Sequence, residues 1–125
     1  MEHDCPFCNI EAGREILFDH SAVYVIYDKF PVSPGHALII PKSHCENYFD
    51  LLLNDQVACW SILNDVKRTL DDKFKPDGFN IGINVNEAAG QTISHVHLHL
   101  IPRYSGDVND ARGGVRGVIP SNRSY

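Results

Sequence analysis

Residues 84–103 read NVNEAAGQTISHVHLHLIPR, and this stretch decides the fold. Within it, three histidines, His95, His97 and His99, alternate with apolar residues. A period of two is typical of a β-strand, in which alternate side chains face opposite sides of the sheet. Neighbouring imidazoles then lie about 6.6 Å apart, twice a rise of roughly 3.3 Å per residue. The spacing predicts a strand over residues 95–103 with an apolar face and an imidazole face.

An imidazole face suits several kinds of chemistry. The ordinary pKa of histidine lies near neutrality, so the side chain serves as a base, a nucleophile or a metal ligand. The preceding Gly90-Gln91-Thr92 is a small-residue loop whose backbone amides can approach an anion closely. A half-polar strand without chemistry and a strand that only binds zinc remain alternatives at this point.

The motif H-V-H-L-H-L-I matches at every position the pattern of the histidine-triad family, His-φ-His-φ-His-φ-φ with φ apolar. The G-Q-T before it, the P-R-Y-S-G-D after it and P-V-S-P-G-H-A-L-I-I-P-K near the middle of the chain also resemble this family. The resemblance runs from Cys5 to about Pro120 and is strongest to the bacterial and fragile-histidine-triad-like branches of nucleotide hydrolases. It implies an α+β fold with a five-stranded antiparallel sheet, one long helix and one short helix. It also implies a homodimer that joins two sheets.

Length and composition narrow the class of protein. The 125 residues predict a single domain, residues 1–125, with a C-terminal tail from about residue 106. The formal net charge of −5 argues against binding to nucleic acid, which favours a basic face. No apolar run is long enough for a membrane span, and no secretory signal is visible, so we expect a cytoplasmic protein with no membrane partner.

The hydrophobic pattern places the remaining elements. Strands are predicted at 15–20, 22–28, 36–41 and 78–84, with the third of these at the centre of the sheet. Residues 47–53 indicate a short helical turn, and Asn54 is predicted to cap a long helix that ends near Lys75. The apolar face of that helix is predicted to comprise Val57, Trp60, Leu63, Val66, Leu70 and Phe74. Cys59 is interpreted, like Trp60, as a packing residue.

Cys5 and Cys8 form a C-x-x-C pair, which presents two sulfurs to one ion and is half of a tetrahedral zinc site. Two buried thiols or a redox pair are the alternatives. In zinc-bearing members of the family that the chain resembles, such a pair is completed at positions that correspond here to His44 and His95. The resemblance therefore implies a structural Zn²⁺ with four protein ligands and no open position.

The resemblance also implies catalytic roles. His97 is expected to attack the α-phosphorus of a nucleotide and form a nucleotidyl-imidazole intermediate, which water then hydrolyses. The attacking nitrogen must be unprotonated, so the other ring nitrogen must donate its proton to an acceptor, a backbone carbonyl in relatives. His99 is expected to contact the phosphate or the leaving oxygen, and His36 to pack near the phosphate and sugar.

Five further residues are predicted to bind the substrate. Gly90, Gln91 and Thr92 supply loop amides, a side-chain amide and a hydroxyl, and Asn84 contacts the phosphate as its counterpart does in relatives. Asp28 is placed in the region that holds the ribose hydroxyls. Magnesium is expected only as an ion carried in by a polyphosphate.

The resemblance implies hydrolysis at the α-phosphate of a nucleotide conjugate, such as a dinucleoside polyphosphate or a phosphoramidate, with release of a nucleoside monophosphate; a purine nucleotide or nucleotide conjugate is the expected partner. A nucleotide sensor with incidental hydrolysis and a nucleotidyl transferase are the alternatives. In the tail, Arg123 is interpreted as a solvated surface residue, whereas Arg112 and Arg116 are left open between a polyphosphate contact and the surface.

Overall fold

The structure, a computed structural model, describes residues 4–125. It contains five strands and two α-helical segments: β1 (Ile16–Asp19), β2 (Val23–Tyr27), β3 (Ala37–Pro41), α1 (Leu53–Ser61), α2 (Leu63–Phe74), β4 (Gly78–Ile83) and β5 (Leu98–Arg103). The strands form one antiparallel sheet in the order β1-β2-β3-β5-β4, with β3 at its centre, as predicted. No helix within residues 4–125 is both long and apolar enough to cross a membrane.

The two faces of the sheet bury different sets of side chains. One face packs on the helix through a core that includes Val25, Ile39, Val66, Leu70 and Leu98. The opposite face carries a smaller apolar cluster: Cys5, Phe7, Tyr24, Ile26, Leu38 and Ile40. Because β2 and β3 are covered on both faces, their sequences are almost continuously apolar instead of alternating.

The imidazole strand keeps its predicted alternation but is shorter than predicted. Regular pairing begins at Leu98, and the extended residues before it are held by a bond from the Val96 N–H to the Cys45 carbonyl, 2.8 Å. Val96, Leu98 and Leu100 enter the helix-side core. The three histidines therefore project from the other face, where the smaller apolar cluster lies.

The predicted capping of the long helix by Asn54 is wrong. The helix begins at Leu53, and its cap residue is Leu52, which has no side-chain capping bond. The capping signal belongs instead to Asn47, whose side chain accepts the Phe49 N–H at 2.8 Å and starts the short 3₁₀ turn Tyr48–Asp50. The predicted short turn is thus confirmed, and the chain passes from it directly into the helix.

The long helix is confirmed, with one local irregularity. Ile62 separates α1 from α2, and the Ser61 hydroxyl just before it donates to the Val57 carbonyl at 2.6 Å, a bond that commonly bends helices. The buried positions are Cys59, Ile62, Val66 and Leu70.

The assignment of Val57 and Trp60 to the buried face is therefore wrong. Their exposed fractions are 54% and 43%. The indole N–H of Trp60 donates to the Tyr48 hydroxyl at 2.9 Å, so the ring lies along the surface of the helix. The apolar face at the start of the helix is rotated towards Cys59, which is fully buried.

The three tail arginines brace the tail itself. Arg123 donates to the carbonyls of Asp110 and Arg112, so it is a structural residue and not a merely solvated one. Arg116 donates to the carbonyls of Asn122 and Arg123, and its guanidinium lies 4.8 Å from the centre of the Tyr125 ring. Arg112 pairs with Asp110 at 3.6 Å.

Candidate functional site

A cavity of about 530 Å³ opens on the imidazole face of the sheet. Its lining contains six residues that the sequence singled out: Asp28, Asn84, Gly90, Thr92, His97 and His99. They come from the ends of β2 and β4, from the Gly90-Gln91-Thr92 loop and from the imidazole strand. The topology therefore brings together residues that are up to 71 positions apart, from Asp28 to His99.

His97 is held in one orientation and one tautomer. Its Nδ1 lies 2.8 Å from the carbonyl oxygen of His95, and a carbonyl only accepts, so Nδ1 carries the proton. In the neutral ring Nε2 is then unprotonated and bears a lone pair. This is the arrangement that the sequence predicted for an attacking nitrogen.

His36 and His99 form a directed chain of hydrogen bonds. The Val32 N–H donates to Nδ1 of His36 at 3.1 Å, so the proton of neutral His36 is on Nε2. That nitrogen lies 2.9 Å from Nδ1 of His99 and 3.5 Å from a carboxylate oxygen of Asp28. His99 then accepts at Nδ1 and carries its own proton on Nε2.

Nε2 of His99 is buried and has no hydrogen-bond partner among residues 4–125. A buried donor without a partner costs on the order of 1–3 kcal/mol. His99 also lines the cavity, so an unpaired donor lies in a residue of the cavity wall.

A second cluster lies on the same face of the sheet, outside the lining of the cavity. The ligand atoms of Cys5, Cys8, His44 and His95 all lie within 4.8 Å of one another. Nδ1 of His44 and Nδ1 of His95 are 3.2 Å apart, and three sulfur-to-nitrogen distances are 3.2, 3.4 and 3.5 Å. A tetrahedron with zinc–nitrogen bonds of about 2.05 Å and zinc–sulfur bonds of about 2.3 Å has edges of roughly 3.4 Å and 3.6 Å.

The tautomer of His95 also fits a metal ligand. Its Nε2 lies 2.7 Å from the Pro41 carbonyl oxygen, so Nε2 carries the proton and Nδ1 turns a lone pair towards the other three ligand atoms. Cys5 and His95 are buried, whereas Cys8 and His44 are partly exposed. The donor set, its spacing and the carbonyl behind His95 together fit a closed zinc site.

Asp28, His36 and His99 also lie close enough to hold an ion. Here the hydrogen bonds argue against one. Nδ1 of His36 accepts the Val32 N–H and therefore carries no proton. A metal on Nε2 would displace the remaining proton and leave both ring nitrogens deprotonated, which is an imidazolate. We therefore interpret this trio as a hydrogen-bond chain and not as a metal centre.

Comparison with known proteins identifies the family to which a chain with these three histidines belongs. A HIT domain, the histidine-triad domain, matches residues 9–106 of the chain. The chain belongs to the HIT family. An HIT-like protein of Saccharolobus solfataricus is 33% identical over 106 residues, which cover 82% of this chain and 76% of that protein.

Solved HIT structures share the fold. A HIT family protein from Bacillus anthracis has a TM-score of 0.78 and 34% identity, with 83% of this chain and 76% of that chain covered. A zinc-bound histidine-triad protein from Mycobacterium smegmatis has a TM-score of 0.80 and 31% identity, with 88% and 82% covered.

Two longer relatives have names that state an activity. An AP-4-A phosphorylase of Mycobacterium tuberculosis is 30% identical over 88 residues, covering 70% of this chain and 45% of that protein. An adenylylsulfatase of Arabidopsis thaliana is 34% identical over 110 residues, covering 86% and 56%. The chain spans about half the length of each of these two relatives.

Gln91 occupies a different position from the one expected of a phosphate ligand. Its Oε1 accepts the Asn86 N–H at 2.9 Å, and its Nε2 donates to the carbonyls of Glu46 and Ile93 at 2.7 and 3.0 Å. The side-chain amide is thus engaged with the backbone. Gln91 braces the loop that presents Gly90 and Thr92 to the cavity.

Sequence reasoning missed the apolar wall of the HIT cavity, which includes Phe7, Phe30, Leu38 and Ile93. Leu38 follows His36 by two residues in a predicted strand, so the period of two could have placed it on the same face. Phe7 lies between the two cysteines, but nothing in its own pattern indicates that the cysteine turn reaches the cavity.

Three charged residues at the cavity, Glu11, Arg14 and Lys29, were also missed. Glu11 and Arg14 are the first and last residues of a turn closed by the Arg14 N–H and the Glu11 carbonyl at 3.1 Å, with Gly13 at φ +84°. The Arg14 guanidinium donates to the Tyr27 carbonyl at 2.7 Å, and the Glu11 carboxylate pairs with Lys29. A positive φ at the third position of a turn favours glycine. Gly13 was therefore the one feature of the sequence that could have indicated a turn at residues 11–14.

Burial makes this site sensitive to acid. It lowers the pKa of His99 to about 4 from an ordinary value of 6.5, and the neighbouring His97 and His36 add to the effect. Burial also lowers the pKa of His36, although Asp28 opposes this shift. Between pH 6.5 and about 4 the unfolded chain therefore binds more protons than the folded one.

We expect the stability that this difference contributes to be present above pH 6.5 and to be lost as the pH falls towards 4. Urea unfolding of wild type and His99→Gln should show it. Going from pH 7 to pH 5, the wild type should lose on the order of 1–2 kcal/mol more than the variant, from about 1.4 kcal/mol per pKa unit. Equal losses in the two proteins would contradict the assignment.

Proposed function

We propose that this HIT protein hydrolyses a purine nucleotide conjugate at its α-phosphate through a nucleotidyl-His97 intermediate. One observation carries the proposal: Nδ1 of His97 donates to the His95 carbonyl, which leaves Nε2 as a lone pair on a residue that lines the cavity. Forming a phosphorus–nitrogen bond at His97 expels the leaving group, and water then releases the nucleoside monophosphate.

The polar half of the cavity supplies charge stabilisation in this proposal. The unpartnered Nε2–H of His99 is directed to a phosphate oxygen or to the leaving oxygen, where a buried donor is worth more than in water. Asn84, Thr92 and the backbone at Gly90 bind the remaining phosphate oxygens. His36 acts through His99, because its Nε2–H donates to Nδ1 of that ring and so keeps the other His99 nitrogen protonated.

The apolar half of the cavity holds the nucleoside. Phe7, Leu38 and Ile93 offer apolar surface for a purine ring, and Phe30 stands at the rim with 78% of its surface exposed. Asp28 lines the same cavity, with one carboxylate oxygen 3.5 Å from Nε2 of His36, and we assign its carboxylate to the ribose hydroxyls. The other carboxylate oxygen of Asp28 accepts the Phe30 N–H at 2.9 Å. This bond fixes Phe30, at the rim of the cavity, relative to the carboxylate that is proposed to bind the ribose.

We propose further that Cys5, Cys8, His44 and His95 hold a structural zinc ion. The four-ligand geometry and the likeness to the zinc-bound Mycobacterium smegmatis protein support this. Such an ion would cross-link the N-terminal turn to the imidazole strand. It would supply no open coordination position, and no step of the reaction is assigned to it.

The test of the proposed activity is a substrate panel assayed for AMP and GMP: symmetrical dinucleoside polyphosphates, adenosine phosphoramidates and adenylyl sulfate. We expect monophosphate release from at least one class. No product from any conjugate, together with tight monophosphate binding, would replace the proposal by the sensor function.

The similarity to the AP-4-A phosphorylase favours one alternative acceptor, inorganic phosphate in place of water. Repeating the panel with inorganic phosphate separates the two reactions. Hydrolysis yields the monophosphate whether or not phosphate is present, whereas transfer to phosphate yields the diphosphate.

We also propose that the chain forms a homodimer that continues the sheet across β4. β4 is an edge strand, and Ile81 on its helix-side face is 42% exposed. On the helix, Leu53, Val57 and Trp60 follow one another at steps of four and three residues with exposed fractions of 71%, 54% and 43%. An exposed apolar stripe and an unpaired strand edge are each typical of a subunit interface.

Light scattering at micromolar concentration should give about 28 kDa, twice the 14.0 kDa of the chain. Val57→Asp should shift the protein towards the monomer, because a two-fold interface places the new charge there twice. Ile16→Asp, at a position that is 43% exposed on β1 at the opposite edge of the sheet, is the matched control and should remain dimeric. A wild-type monomer would refute the proposed dimer.

A further inference from the structure

The N-terminal turn that carries Cys5 and Cys8 also reaches the cavity. The turn is closed by bonds from the N–H groups of Cys8 and Asn9 to the Cys5 carbonyl, at 3.2 and 3.1 Å. Phe7 lies inside it, is only 7% exposed and lines the cavity. The turn Cys5–Cys8 therefore supplies two sulfurs to the four-ligand cluster and one wall residue, Phe7, to the cavity.

Phe7 contacts the histidines of both sites. The centre of its ring lies 5.0 Å from that of His97 and 6.0 Å from that of His95, edge to face in each case. Its carbonyl accepts the Tyr24 hydroxyl at 2.5 Å, which docks the turn on β2. The position of the phenyl ring thus depends on where the cysteine turn is held.

A second link runs through the backbone of His95. The imidazole of His95 belongs to the four-ligand cluster, and its carbonyl oxygen accepts the Nδ1–H of His97. A movement of His95 therefore changes the acceptor that selects the tautomer of His97.

We propose that the Cys5–Cys8 turn is a thiol-oxidation switch on the nucleotide cavity: converting the two thiolates to a disulfide releases the metal and withdraws Phe7 and the His95 carbonyl from His97. This inference rests on the proposed zinc site and on the proposed nucleotide-binding function. It assigns to Phe7 a positioning role towards His97.

The oxidant for this step is hydrogen peroxide. The two zinc-bound thiolates lose one electron each and form one sulfur–sulfur bond, while peroxide gains two electrons and two protons and becomes two water molecules. Zinc leaves as the divalent ion, because a disulfide no longer offers anionic ligands. All four ligand atoms lie within 4.8 Å of one another, so the two cysteines of the turn are already close together.

The effect should stay local. Cys5 and Phe7 belong to the small apolar cluster on the imidazole face, whereas the helix-side core contains no residue from the turn. Movement of the turn therefore removes Phe7 from the wall of the cavity and leaves the packing of helix on sheet in place. Segments with few shared core contacts open as separate units.

The other two thiols, Cys45 and Cys59, could also react with peroxide in the test. Cys59 is fully buried, and burial raises its pKa to about 12, so it is protonated and unreactive. Cys45 is partly exposed and donates to the Asn47 carbonyl at 3.2 Å. Cys45→Ser keeps a donor at that position and removes the competing thiol.

The experiment uses the zinc-loaded Cys45→Ser protein and peroxide. Three quantities are measured: zinc release with a chromogenic chelator, AMP affinity by calorimetry, and the His97 tautomer by NMR of ¹⁵N-histidine-labelled protein. We expect one zinc released per disulfide, AMP affinity lower by about tenfold or more, and loss of the Nδ1–H tautomer of His97. Reduction with added zinc should restore all three, and the far-ultraviolet circular dichroism should not change.

Phe7→Ala tests the coupling without touching the ligands. It should retain zinc and weaken AMP binding by about tenfold. Ile10→Ala, which packs on the same apolar cluster but does not line the cavity, should bind AMP normally. An oxidised, zinc-free protein with unchanged AMP affinity and an unchanged His97 tautomer would overturn the switch. These readouts do not require turnover, so a failure of the proposed hydrolysis is detected separately by the substrate panel.

Discussion

His97→Ala should abolish hydrolysis while the cavity still binds a nucleoside monophosphate. The change removes the attacking nitrogen, and turnover should fall by roughly three orders of magnitude or more, as for other removed nucleophiles. Asn84, Thr92 and His99 still line the cavity, so AMP affinity should stay within about tenfold, about 1.4 kcal/mol. Single-turnover kinetics and calorimetry measure the two quantities on the same preparation.

Two variants sharpen this result. His99→Ala removes the unpartnered Nε2–H, so it should reduce both AMP binding and turnover. His20→Ala changes a histidine on the exposed surface outside the cavity and should behave as the wild type. Near-full hydrolysis by His97→Ala would mean that water attacks the phosphorus directly and that the triad only stabilises charge.

The double variant Cys5→Ala with Cys8→Ala should lose both the metal and thermal stability. The wild type should contain about one zinc per chain, since four ligand atoms converge on one point. Removing two anionic ligands destroys the site, and a metal that binds only the folded chain stabilises it directly. We expect Tm to fall by roughly 10 °C or more, from several kcal/mol at about 2–4 °C per kcal/mol.

Metal analysis and calorimetric scans check this prediction together. Cys45→Ser is the matched control, because its thiol is outside the cluster, and it should keep both zinc and Tm. If carefully prepared, unchelated wild-type protein contains no zinc, the cysteines are only packing residues.

The sheet was predictable because its signals are local. The strands around β2, β3 and β5 are marked by short apolar runs and by alternation, and short connections force antiparallel neighbours. The position of the helix was predictable for the same reason. The start of its buried face was not, because Val57 and Trp60 have the helical period but are exposed, whereas Cys59 and Ile62 are buried.

The location of several predicted site residues agrees with the structure, whereas their roles stay a prediction. His97, His99, Asn84 and Thr92 line one cavity. Gln91 differs because the sequence shows an available amide but not the three backbone groups that occupy it. Which partner a polar side chain finds depends on distant loops, here the Glu46 carbonyl 45 positions away.

The contribution of Phe7 could not be read from the sequence for a related reason. It depends on how the cysteine turn docks on β2 through the Tyr24 hydroxyl and on the distance from its ring to His97. Both are tertiary contacts without a sequence period. The chain of hydrogen bonds from Val32 through His36 to His99 is equally non-local, since 63 positions separate the two histidines.

Trapping of the covalent intermediate tests the central claim most directly. Wild type and His97→Ala are mixed with an α-phosphate-radiolabelled dinucleoside polyphosphate, quenched within the first turnover and analysed for protein-bound label. We predict label on the wild type that is stable in base, lost in acid and located on the peptide containing His97, and no label on His97→Ala. Rapid hydrolysis by a wild type that never carries label, or label of equal amount on His97→Ala, would contradict the account.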